Sequence, residues 1–139
     1  MIKRPQGPSG TLVVLEHTSK ILQGNPLDDA HVRKLGVWLP PQYDGDGSGT
    51  RRFPVLYDLV GFTGTGLSHT SWKPFGDNVP ERAARLIHEK KMGPAIIVFP
   101  DCFTSLGGNQ YINSSAIGNY ADYLTREIIP FVDREFRTL

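Results

Sequence analysis

The chain has 139 residues, 39% hydrophobic and 21% charged, the balance of a folded, water-soluble domain and not of a disordered one. Its 15 basic and 14 acidic residues are mixed along the sequence and leave a formal charge of +1, so no sustained basic surface is available to hold a nucleic-acid backbone. A single domain with a real core fits this length, but α/β enzymes commonly need about 200 residues or more, so residues 1–139 are expected to form one incomplete domain.

At the N-terminus Lys3 and Arg4 could open a signal peptide, but Pro5, Gly7, Pro8 and Gly10 follow, and the apolar run 12–15 is far too short for a secretory core. No export or membrane segment is visible, and the cytoplasm is the expected location. The single cysteine, Cys102, excludes an internal disulfide and a Cys-rich zinc cage and is compatible with a reducing compartment.

Residues 11–22 mix β-branched and apolar side chains with polar ones and end at Gly24, Asn25 and Pro26, which reads as a strand and turn. Residues 31–39 alternate, with Val32, Lys34, Gly36 and Trp38 on one face and Arg33, Leu35, Val37 and Leu39 on the other, until Pro40 and Pro41 stop the ladder. Residues 43–50, with three glycines and two aspartates, predict a flexible surface turn. Residues 54–60 are almost continuously apolar, as suits a strand buried on both faces of a parallel sheet; Asp58 interrupts them.

A helix is predicted over 80–92, with Asn78 as cap, Glu81 three residues on, Lys90 and Lys91 at the negative end of the dipole and Gly93-Pro94 as terminator. Val79, Ala83, Leu86 and Ile87 form its apolar face. The run 95–99 is a short, wholly apolar strand, and strand, helix, strand in this order predicts a βαβ unit with a right-handed crossover. A last helix over 120–136 carries Tyr120, Leu124, Ile128, Phe131 and Val132 on one stripe, with Asn119 and Asp122 as a cap pair and Pro130 bending it or ending its first half.

Two connections, 61–78 and 101–118, are much longer than ordinary βα loops, and both leave the carboxyl ends of predicted parallel strands, where open α/β sheets bind ligands. Phe62, Trp72, Phe75, Phe103 and Tyr111 offer apolar area for a pocket there, and Asn109, Gln110 and Asn113 offer hydrogen bonds. Loops that merely pack over the sheet are the alternative.

The order WLPPQYD, FPVLYDLVGFTG, Trp72 and IIVFPD resembles the putative-esterase branch of the α/β-hydrolase superfamily, which includes enterochelin-esterase-like enzymes, esterase D and the mycolyltransferases. The likeness runs over about residues 20–138 and matches only the N-terminal half of those proteins. It implies a mostly parallel, three-layer α/β/α sheet truncated before the G-x-S-x-G elbow that mounts the nucleophilic serine. It also implies ester hydrolysis on a small-molecule substrate with no cofactor or metal. Many relatives carry His-Gly or Ser-Gly-Leu where this chain has Val60-Gly61-Phe62; the implied oxyanion donor is the backbone N–H of Phe62, so the side chain is free to differ. Gly61 would turn the backbone toward the substrate carbonyl, although an ordinary turn glycine reads the same. Trp72, Phe75, Cys102, Phe103, Asn109 and Tyr111 are the expected substrate contacts.

No elbow is hidden in the chain. In Gly66-Leu67-Ser68-His69-Thr70 a threonine replaces the second glycine, and Gly47-Ser48-Gly49 lacks the outer spacing. Asp101 reads as a loop cap, and Cys102 as a small buried or pocket-lining thiol in preference to a nucleophile with His69 or His88 as base. The four histidines show no metal-ligand spacing, and His88 reads as an exposed helix residue. In the resembled fold the elbow strand pairs beside 54–59, so this chain alone should expose an apolar edge that invites a homodimer. A non-catalytic small-molecule binding module is the second reading, and a Cys102 hydrolase the third.

Overall fold

A computed structural model of the chain describes residues 7–45 and 47–139; Lys3, Arg4 and Pro5 of the leader argument, and Asp46 of the predicted turn, lie outside the described residues. Four strands form the main sheet: β1 (Thr11–Thr18), β2 (Val32–Leu39), β3 (Val55–Tyr57) and β4 (Ile96–Pro100), in the order β1-β2-β4-β3. β1 pairs antiparallel with β2, β2 antiparallel with β4, and β4 parallel with β3.

β2 and β4 are central, and their alternation feeds two cores. Leu35, Val37, Ile96 and Val98 face one side, against Tyr120, Tyr123, Ile128 and Val132. Trp38, Ile97 and Phe99 face the other, against Ala83, Ala84 and Ile87. Helices thus cover both faces, the three-layer arrangement expected. The helix α2 (Val79–His88) starts where Asn78 Oδ1 accepts from Glu81 N–H at 2.9 Å. It stops four residues earlier than predicted: Lys90 adopts a φ of 58°, its N–H reaches Ile87 O, and Lys91 N–H reaches Leu86 O. This Schellman closure satisfies the last carbonyls before Gly93 and Pro94 are needed.

Several expectations change. β1 ends at Thr18, because Asn25 gathers the following turn by donating to Leu22 O and Asp29 O and accepting from Leu27 and Asp29 N–H. The predicted turn over 43–50 opens with one helical turn, α1 (Gln42–Gly45). β3 has three residues and is not buried on both faces: it lies at the sheet edge, and Leu56 is 53% exposed.

The loop after β4 carries a two-residue hairpin, β5 (Asn113–Ser114) with β6 (Gly118–Asn119). The last helix runs as α3 (Tyr120–Asp122), a π-helical segment (Tyr123–Ile128) and α4 (Ile129–Glu135). Pro130 has no N–H to give to an i−4 carbonyl, and Ile129 N–H instead reaches back five residues to Leu124 O. Asn119 makes no side-chain cap bond; Asn113 Oδ1 accepts from Asp122 N–H at 3.0 Å and takes that role from the hairpin. Among the described residues no helix is long and apolar enough to cross a membrane.

Candidate functional site

The parallel pairing of β3 and β4 places their carboxyl ends side by side, and the long loops that leave them, 61–78 and 101–118, meet there. Thr63 N–H donates to Gly107 O at 2.6 Å, and the Tyr111 hydroxyl donates to Val60 O. Glycine permits the approach. A Cβ on Gly66 would stand 2.8 Å from Pro100 O, and Gly108, at a φ of +144°, packs against Phe62 and Thr63. Between the two contacts lie Gly61 and Phe62, both exposed, whose N–H groups find no acceptor among the described residues. Backbone donors held in this way can serve a developing oxyanion.

The other predicted contacts divide. Asn109 is engaged at both ends of its amide: Nδ2 donates to Cys102 O, and Oδ1 accepts from Tyr111 N–H at 2.5 Å. Burial first, then the charges of Cys102, Asp58 and Asp101, push the Tyr111 phenol up to about 12, so it remains a donor at neutral pH. Phe103 is half-buried. Trp72 is 71% exposed and Phe75 wholly so, and neither joins these contacts. A cavity of about 280 Å³ lies elsewhere, between the first described residues and α2, with Ser9, Trp38, Asn78, Arg85 and His88 in its wall; none of the predicted site residues lines it.

Cys102 belongs to the core. Burial, then the neighbouring Asp101 charge, push its thiol up to about 12 against the pull of Arg33, so it is protonated at neutral pH and a poor nucleophile. Asp101 does cap the loop: its Oδ1 accepts from Phe103 N–H at 3.1 Å.

Two arrangements escaped the sequence argument. Arg33 is buried, donating from Nε to Ala30 O at 2.6 Å, from Nη1 to Phe103 O at 2.5 Å and from Nη2 to the Tyr120 hydroxyl at 3.0 Å, with Asp101 Oδ2 at 3.5 Å. It braces the root of the second loop. Its place on the Leu35, Val37, Leu39 face was the available signal. The second is His69, whose Nδ1 stands 2.6 Å from Asp58 Oδ2; the charge interrupting an apolar strand pointed to it.

A mixed sheet covered on both faces, with long loops at the carboxyl ends of its parallel strands, is the architecture of an α/β-hydrolase domain. Over residues 30–139 the chain matches the family described as Putative esterase, and it belongs to that family. No curated protein matches it. Among solved structures it is similar to a ferulic acid esterase from Anaeromyces mucronatus, with 21% identity and a TM-score of 0.68, covering 99% of this chain and 47% of that one. It is also similar to the feruloyl esterase module from Clostridium thermocellum, with 18% identity and a TM-score of 0.70, covering 97% and 39%. An S-formylglutathione hydrolase from Agrobacterium tumefaciens matches at 18% identity and a TM-score of 0.57, covering 99% and 48%. The chain therefore spans less than half the length of each of these structures.

Proposed function

We propose that this chain is the N-terminal portion of a serine carboxylic-ester hydrolase and supplies one oxyanion-hole donor, the Phe62 N–H, with part of the substrate pocket. The serine, the acid and the histidine come from residues outside this sequence, so the 139-residue chain alone is inactive. In the complete enzyme the serine oxygen attacks the ester carbonyl as the histidine takes its proton. The tetrahedral oxyanion is held by Phe62 N–H and the N–H after the serine. The alcohol leaves with the proton, and water then releases the acid. This sequence of steps needs no cofactor. The observation that carries the reading is the Gly61-Phe62 pair, its N–H groups without an acceptor among the described residues and its flanks fixed on both sides by the opposite loop, in a chain of the esterase family. The burial of Cys102 weighs against a cysteine hydrolase.

The test uses the protein as its own cell makes it, with p-nitrophenyl acetate, methyl ferulate and S-formylglutathione as probes, the last two chosen from the activities named for the similar structures. Ester turnover is expected, and Phe62→Pro should lower kcat by about a hundredfold with KM largely kept. Unchanged turnover in that variant would remove Phe62 from its role. Saturable binding of the esters without cleavage would favour a binding module.

A further inference from the structure

We infer that Asn109 and Tyr111 are positioning residues that lock the oxyanion peptide, and not substrate contacts. The inference rests on the esterase reading only for its kinetic consequence, since the geometry stands by itself. Tyr111 delivers its hydroxyl to Val60 O, the carbonyl of the Val60–Gly61 peptide. Gly107 O, from the same loop, takes Thr63 N–H at 2.6 Å. The Gly61-Phe62 segment is thus tied down immediately before and immediately after, while its own N–H groups find no acceptor among the described residues.

Asn109 sets the tie. Its amide bridges Cys102 O and Tyr111 N–H, and Tyr111 holds a φ of 57°, a left-handed conformation that costs a non-glycine residue energy unless its surroundings enforce it. The bridge anchors that turn to Cys102, itself in the core. A line of hydrogen bonds therefore runs from the core at Cys102 through Asn109 and Tyr111 to the Val60–Gly61 peptide, one peptide ahead of the one that carries Phe62 N–H. Gly61, the hinge between the two, has φ/ψ freedom and no packed neighbour within 4 Å of a Cβ position, so without the tie the Gly61–Phe62 peptide can rotate and swing its N–H away. Preorganised donors stabilise an oxyanion because they need no reorganisation during the reaction. Loosening them raises the barrier and leaves substrate affinity nearly unchanged.

The experiment compares Tyr111→Phe, Asn109→Ala and the double variant in the protein as its own cell makes it, by ¹⁵N relaxation and by ester kinetics. Tyr111→Phe keeps the ring and removes one hydroxyl. The order parameters of Gly61 and Phe62 should fall from about 0.85 to below about 0.6, with Val98 in β4 unchanged, and kcat should drop about tenfold at constant KM. Asn109→Ala should act on the same amides, and the double variant should resemble the worse single, because the two residues lie on one line of contacts. Unaltered order at Gly61 and Phe62 in both single variants would overturn the inference, as would loosening spread equally over β4. A rise in KM at constant kcat would overturn it too, by returning both side chains to substrate binding. If no ester is turned over, the esterase reading fails while the relaxation data still decide the tie.

Discussion

His69 Nδ1 lies 2.6 Å from Asp58 Oδ2, and this contact fastens the first site loop to the end of β3. Asp58 follows the strand directly and is itself fixed by its N–H bond to Val98 O at 2.8 Å. His69 sits in a 3₁₀ turn, Ser68–Thr70, eleven residues further along. A carboxylate accepts only, so the ring donates from Nδ1. Contacts of this kind also orient the histidine of hydrolytic triads, but here Ser68 is drawn into its own turn, its Oγ accepting from Thr65 N–H at 2.8 Å and lying 3.0 Å from Thr65 Oγ1.

The pair should therefore act as a pin. His69→Ala and Asp58→Ala are each expected to cost about 1 kcal/mol, a charged hydrogen bond discounted for side chains 41% and 21% exposed. The double variant should cost little more than either single. Urea unfolding of the three variants measures this, and full additivity would mean that the contact contributes nothing of its own.

Glu127 gives a pH-dependent anchor on the opposite face. Burial raises its pKa, but bonds from Ser19 Oγ at 2.5 Å, Lys20 N–H at 3.0 Å and Ile21 N–H at 3.1 Å, with His17 Nε2 at 3.4 Å, outweigh that and hold the carboxyl below its usual 4.5. They tie the turn after β1 to the π-helical segment. A folded-state value below the unfolded one means stability that is fully present above the unfolded pKa and lost as pH falls through the folded one. Glu127→Gln should thus lower stability at neutral pH by about 1–2 kcal/mol, and the gap to the wild type should close on acidification below pH 4.5. Urea midpoints across that range are the measurement; a gap independent of pH would assign the effect to packing.

What the sequence disclosed followed from local chemistry. Asn78 and Glu81 announced the start of α2, and the unbroken apolar run of β4 announced a strand, because each signal is complete within a few residues; the burial on both faces expected for 54–60 belongs to β4 instead. The loops could be seen to converge from strand order alone. What escaped were features set by partners distant along the chain. Arg33 is buried because Phe103 O and Tyr120 Oη, 70 and 87 residues away, receive its donors. Leu56 reads like Ile97 in isolation, yet among the described residues β3 has a neighbouring strand on one side only. Asn109 and Tyr111 carry functional groups suited to a ligand, and no local pattern shows that those groups are already taken by Cys102 O and Val60 O. The cap of the last helix came from Asn113, across a hairpin too short to register as periodicity.

The edge of β3 is where the isolated chain should betray itself. Among the described residues β3 pairs with β4 alone, and Leu56, Leu59 and Phe62 are exposed on and just beyond it, at 53%, 45% and 58%. Backbone groups left open beside apolar side chains template another strand, and each large side chain that finds cover contributes about 1.5–3 kcal/mol when fully buried. The 139-residue chain by itself is therefore expected to dimerise or aggregate through β3, and Leu56→Lys, which places a charge on that edge, should shift it toward monomer without unfolding the sheet. Sedimentation velocity on both forms, with circular dichroism to confirm the fold, decides the point. A wild-type chain that sediments as a stable monomer would show that the edge is protected in a way its exposure does not suggest, and an associated form indifferent to the lysine would place the contact on another surface.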